Sequence, residues 1–266
     1  MSPKRPTVAD ILALKGRKQL TMLRVTTLEE AEAAQKAGVE MLSVPPELMT
    51  DPRFREAAPT CFAVPGGEKS VYVAKDECLG EAFRMIRAGA DAVYCAAGLD
   101  TIRTLRAEGV PVCGHVGLIP SRATWTGGFK AVGKTAESAF RVWKQVRALE
   151  EAGAFAAEIE VVPSEVATAI SARTSLFMIS MGAGAGCDAQ YLFAEDVLGA
   201  HRRHYPRHAK VYRNFAAEYD RLQRERVAAF AEFVADVEKG VYPGPGHVVR
   251  IPRDELDRFL NDLAGA

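Results

Sequence analysis

EAGAFAAEI, residues 151–159, holds the junction on which the fold turns. An amphipathic stretch ends at Gly153 and an apolar run begins at once. Glycine takes the left-handed position that closes a helix, and the chain then enters a buried strand. The same junction recurs in KAGVEML at 36–42, RAGADAVY at 87–94 and AEGVPVCG at 107–114, around Gly38, Gly89 and Gly109. Repetition of helix, glycine and apolar strand implies alternating β and α units around a parallel sheet.

Working outward, strands are expected near 20–25, 40–44, 61–64, 91–95, 111–115, 155–161, 176–181 and 190–193. Helices fall between them, near 28–37, 76–88, 99–108, 136–152 and 164–172. Each strand is short and almost continuously apolar, as parallel strands covered on both faces should be. Roughly eight units in about 250 residues is the size of a (β/α)8 TIM barrel. An open doubly wound sheet is the alternative. It is weakened because no glycine-rich dinucleotide fingerprint follows the first strand, which ends RVTT at 24–27. Past residue 195 the chain turns basic in AHRRHYPRHAKVYRN, then reads as one long amphipathic helix over 215–239 and a short one over 253–263. The expected organisation is a single barrel domain spanning 1–266, with 200–266 a C-terminal helical extension packed on it.

A chain of 266 residues with 48% hydrophobic content can bury a full core. Its 34 basic and 34 acidic residues cancel, which disfavours nucleic acid and anionic membrane surfaces as partners. No apolar run has the length of a membrane span, and MSPKRPTVAD lacks the apolar core of a signal peptide. The five cysteines are odd in number and never spaced as CxxC, so they read as reduced thiols in a cytoplasmic protein.

Candidate chemistry gathers at strand ends. In PVCGHVGLIPSRATWTGGFKAVGK, residues 111–134, His115 sits at the carboxyl end of a strand, on the rim where barrels bind ligands. An imidazole there can donate or take a proton near neutral pH, although a histidine bonded to backbone fits the same position. Glu158 and Glu160 lie two apart and so share one side of a strand. Two carboxylates inside a barrel repel, which raises at least one pKa and makes a general base or acid. Arg24, at the end of the first strand, suits a substrate carboxylate or phosphate, or else caps a helix. Lys130, after Gly127 and Gly128, could serve the same purpose or be a solvated loop lysine. HRRHYPRH places His201, His204 and His208 among Arg202, Arg203 and Arg207, a setting that repels a cation and reads as an anion-facing or interface loop. GAGAG at 182–186 could cradle an anion with backbone amides, or form a tight turn.

Several collinear pieces resemble the ketopantoate hydroxymethyltransferase family, of the phosphoenolpyruvate-mutase/isocitrate-lyase-like barrel superfamily. They are VCGHVGL with GGFK, EVVPSEVA, GAGAGCDAQYL, HYPRHAK and VEKGVYPG, within a match from about Thr7 to His247. The resemblance implies a (β/α)8 barrel, a homo-oligomer, and a pantothenate-pathway reaction. In that reaction a one-carbon unit passes from methylenetetrahydrofolate to 3-methyl-2-oxobutanoate chelated by carboxylate-bound magnesium. It also implies that Glu160 is the general base. The sequence departs at the metal. The family's aspartates after the second and third strands fall on Pro46 and Gly66, and the lysine and glutamate of the fourth-strand motif fall on Tyr94 and Ala96. The first-strand motif, normally Thr-Ala-Tyr-Asp, reads Arg24-Val25-Thr26-Thr27. Proline, glycine and alanine side chains offer magnesium no hard oxygen ligand. Glu47 and Glu68 lie one and two residues from the lost aspartates and could substitute in a shifted register.

These departures lead to a charge-replacement expectation without a metal site. Arg24 takes over the substrate carboxylate or its carbonyl, Glu160 remains the base, and His115 acts at the oxygen. Lys130, Tyr94, Glu158, Glu47 and Trp125 are expected on the substrate side. The expected activity is aldol-type carbon–carbon chemistry that transfers or releases a one-carbon or small carbonyl unit on a small 2-oxo or related acid. A metal-free lyase or hydrolase, a non-catalytic metabolite-binding paralogue, and a ketopantoate-forming enzyme with displaced ligands are the competing readings.

Overall fold

The computed structural model describes residues 4–66 and 74–265, so Glu68 lies outside the described residues. Two compact units divide the chain, Met1–Arg213 and Asn214–Ala266. In the first, eight parallel strands follow one another: β1 (Leu20–Arg24), β2 (Met41–Val44), β3 (Phe62–Pro65), β4 (Val93–Tyr94), β5 (Val112–Gly117), β6 (Ala156–Glu160), β7 (Phe177–Met181) and β8 (Ala189–Phe193). Their spatial order is β3-β2-β1-β8-β7-β6-β5-β4. The seam between β3 and β4 is bridged by the amide of Asp91, which donates to the carbonyl of Ala63 at 3.0 Å, while the Asp91 carboxylate accepts from the Ala63 amide at 2.8 Å. With helices between the strands, this is the (β/α)8 barrel.

Strand alternation sorts the side chains. Leu20 and Met22 of β1, Phe62 and Val64 of β3, and Phe177 and Ile179 of β7 fill the barrel interior, with Ile11 of the helix Val8–Ala13 packed into the same cluster. The alternate residues, such as Leu42, Ala63, Ala157 and Met178, pack outward with Val142, Val146, Leu149 and Ala167 of the surrounding helices. Phe62 and Phe177 are fully buried, and truncating either to alanine would cost about 3–5 kcal/mol. The helix-ending glycines behave as the sequence predicts: Gly38, Gly89, Gly109 and Gly153 all have positive φ.

The second unit comprises the helix Phe215–Glu238 and the helix Arg253–Ala264. The long helix leaves Tyr219, Leu222, Phe230, Phe233 and Val237 exposed. No helix among the described residues is long and apolar enough to cross a membrane. Cys61, Cys95, Cys113 and Cys187 are buried, and all five cysteines are unbridged.

Candidate active site

At the carboxyl ends of the strands a cavity of about 1090 Å³ opens into the barrel, lined among others by Arg24, Tyr94, His115, Glu158 and Glu160. These five arrive from β1, β4, β5 and β6 because the inward positions at the ends of those strands converge on the barrel axis. On β6 the inward series runs Ala156, Glu158, Glu160, so polarity rises toward the mouth. His115 of β5 pairs in register with Glu158. Its Nε2 lies 3.1 Å from Oε2 of Glu160, within ion-pair distance but without hydrogen-bond alignment. Its Nδ1 meets the hydroxyl of Tyr94. Gly117, paired in register with Glu160, lets the two backbones approach closely, since a Cβ there would come within 2.4 Å of the Glu160 carbonyl oxygen.

Electrostatics separate the two carboxylates. Burial, reinforced by the neighbouring Glu160, pushes Glu158 up to about 7, against the opposing pull of His115 and Arg24. For His115 burial opposes the charged ring, but Glu158 and Glu160 outweigh it and raise the imidazole above its ordinary value. Tyr94 is held well above the usual phenol range by burial and then by Glu158. Residue 161, directly after the acid pair, is a valine at φ 48°, a left-handed conformation that β-branched side chains rarely adopt. Its amide donates to the Met181 carbonyl at 2.8 Å and its carbonyl accepts from Val132 at 3.0 Å.

Across the mouth, Arg24 donates from one guanidinium nitrogen to Ser43 Oγ and to the Gly66 carbonyl, each at 3.1 Å. Tyr191 of β8 is buried beside it, with Ser43 and Arg24 as polar neighbours. The guanidinium is thus oriented before any ligand arrives. Lys130 reaches the cavity lining from its exposed loop, together with Lys134, Arg207 and His208. Trp125 and Glu47 are not brought there. The indole is 90% exposed on the short helix Ala123–Thr126, and Glu47 is exposed on the helix Pro46–Met49, whose buried face is Leu48 and Met49.

Sequence reasoning missed Ser43, Tyr191 and Asp196; from HRRHYPRH, read as an anion-facing or interface loop, His204, Pro206, Arg207 and His208 line the cavity. Alternation in MLSV and AQYLF was the available signal for the first two. His201 pairs with Asp196 at 2.8 Å and stacks on Tyr205, while His204 and His208 face the cavity. The GAGAG turn packs on the helix Ser164–Ser171: a Cβ on Gly186 would lie 1.8 Å from Thr168 Oγ1.

A parallel barrel whose mouth joins an imidazole, two carboxylates and an oriented guanidinium can perform acid–base chemistry on a small anion. Residues 67–245 match the family model described as ketopantoate hydroxymethyltransferase. The chain is 31% identical over 284 residues to the 3-methyl-2-oxobutanoate hydroxymethyltransferase of Oleidesulfovibrio alaskensis, covering 98% of this chain and 96% of the relative. To the protein of the same name from Thermus thermophilus it is 35% identical over 266 residues, covering 91% and 99%. The chain belongs to the ketopantoate hydroxymethyltransferase family. A solved 2,3-dimethylmalate lyase of the PEP mutase/isocitrate lyase superfamily superimposes with a TM-score of 0.50 at 13% identity, over 96% of this chain and 98% of that one. That likeness concerns the fold.

The donor set bears on magnesium, which the family implies. Ligand atoms of His115, Glu158 and Glu160 lie within 4.8 Å of one another, close enough for a divalent ion. That group mixes nitrogen and oxygen donors on β5 and β6, whereas magnesium prefers an all-oxygen octahedron. At the ends of β2, β3 and β4 the chain presents Pro46, Gly66 and Ala96, whose side chains offer no ligand. Carboxylates that the family resemblance would put there are absent from these three positions, while His115, Glu158 and Glu160 remain a group that could hold an ion.

Proposed function

We propose that this chain is a hydroxymethyltransferase of aldol type that acts on 3-methyl-2-oxobutanoate or a closely related small 2-oxo acid. The observation that carries the reading is Glu160 beside His115 at the barrel mouth, facing a cavity with room for an oxo acid and a second reactant. In this mechanism the Arg24 guanidinium holds the substrate carboxylate and Glu160 removes the proton at C3. The electrons of the broken C–H bond pass into an enolate whose oxygen is met by His115. C3 then attacks formaldehyde, forming the new carbon–carbon bond as the C=O π pair moves onto the formaldehyde oxygen, which takes the proton held by Glu160. Formaldehyde would enter as such or arise from methylenetetrahydrofolate and water, with tetrahydrofolate as the leaving product. Lys130 and Lys134 add positive charge at the entrance for an anionic reactant.

Arg24 is proposed to do the charge-balancing work of the metal, so turnover would survive exhaustive chelation. A guanidinium is a poorer Lewis acid than a divalent ion but orients a carboxylate in a fork of hydrogen bonds. The test is deuterium exchange at C3 of 3-methyl-2-oxobutanoate, followed by NMR with and without chelator. A parallel set with each one-carbon donor is scored for ketopantoate. Exchange and product in chelator support the whole reading. Activity lost in chelator and restored by magnesium would remove the metal-free part. Absence of both exchange and product under all conditions would sink the assignment.

The apolar face of the helix Phe215–Glu238 supports a homo-oligomer, since an exposed row of this kind is normally covered by another surface. Sedimentation of the wild type against Phe230→Glu tests this, and a monomeric wild type would end it.

A further inference from the structure

Tyr94 stands where the family resemblance expects a lysine, and its hydroxyl faces His115 Nδ1, with the two rings edge to face at 5.7 Å between centroids. The other ring nitrogen, Nε2, is buried, lies 3.1 Å from the Glu160 carboxylate and lacks an aligned hydrogen-bond partner. A neutral imidazole carries one proton, and the two contacts choose between the tautomers. With the proton on Nδ1, the lone pair of Nε2 would face a carboxylate oxygen across 3.1 Å, which is repulsive. With the proton on Nε2, that repulsion becomes attraction, and Nδ1 accepts from the Tyr94 hydroxyl. Tyr94 keeps its proton for this role, because burial and the charge of Glu158 disfavour the phenolate. In the imidazolium both nitrogens donate and the phenol oxygen accepts instead, so the contact survives a change of ring charge. A lysine at position 94 could not do both, since its ammonium only donates.

We infer that Tyr94 is a positioning residue that fixes the His115 proton on Nε2, leaving the imidazole able only to donate toward the reacting oxygen. Proton abstraction then falls to Glu160, and the two groups cannot exchange tasks. This division of labour rests on the proposed function, but the tautomer itself does not.

The experiment is ¹⁵N NMR of the protein labelled at histidine, without substrate, at a pH where the His115 ring is neutral. His115→Asn serves to assign its resonances. The wild type should show a protonated Nε2 and a hydrogen-bonded, unprotonated Nδ1, and Tyr94→Phe should shift the ring toward a mixture of tautomers. Tyr94→Phe should also lower kcat by roughly 10- to 100-fold with little change in KM, as loss of proton placement does. A neutral wild-type ring protonated on Nδ1, or resonances unmoved in Tyr94→Phe, overturns the inference. Failure of the wild type to turn over 3-methyl-2-oxobutanoate would instead overturn the functional reading and leave the tautomer result standing.

Discussion

The two halves of the barrel mouth have different character. Around β5 and β6 the strand ends present His115, Glu158 and Glu160, a buried acid–base group. Around β2 to β4 they run into Pro46, Gly66 and Ala96, and the guanidinium of Arg24 from β1 bonds across to Ser43 and the Gly66 carbonyl. Under the proposed function, proton removal and charge stabilisation fall on different strands, so one could be rebuilt while the other stays.

The comparison breaks first if the β5–β6 half is dispensable. Glu160→Gln should lower kcat by roughly 10³-fold, within the range lost with a general base, as measured by C3 exchange of 3-methyl-2-oxobutanoate. A loss below about tenfold would move the base elsewhere. Next, Arg24→Ala should reduce kcat/KM by about 100-fold through weaker substrate orientation, with Arg24→Lys recovering only part, because an ammonium lacks the planar fork. Equal activity in Arg24→Lys and the wild type would reduce the arginine to a point charge.

A smaller effect sharpens the electrostatics. Glu158 has its folded-state pKa raised from 4.5 to about 7, so its proton binds the folded form more tightly than the unfolded chain. That contribution is fully present below the unfolded pKa and is lost as pH rises through about 7. Glu158→Gln, which keeps the shape of the protonated acid, should therefore raise Tm by about 2–4 °C at pH 8 and much less at pH 5. Equal shifts at the two pH values would mean that Glu158 is ionised throughout.

All eight strands were legible because each follows a strong local signal, in several cases a helix-closing glycine running straight into an apolar run. The one-turn helices at Pro46–Met49, Phe54–Ala57 and Ala194–Leu198 were not, being too short to display a period. The same limit governs the site. His115, Glu158, Glu160 and Arg24 could be read because strand ends in a barrel converge whatever the loops do. Alternation alone sets Ser43 and Tyr191 inward, but their meeting with Arg24 depends on β8 and β2 flanking β1 in register. Trp125 differs for the opposite reason: a loop tryptophan reads as a substrate contact, but loop direction has no periodic signature, and the indole is exposed.

Val161 follows Glu160 directly. A valine held at φ 48° stores conformational strain of order 1–3 kcal/mol, sustained here by hydrogen bonds on both of its peptide groups. The chain behind Glu160 thus resembles a compressed spring clamped at each end by those hydrogen bonds. Releasing the spring with Val161→Asn, a residue at ease in that conformation, should raise Tm by roughly 2–4 °C while slowing proton abstraction. A variant no more stable than the wild type would show that the clamp costs the fold nothing.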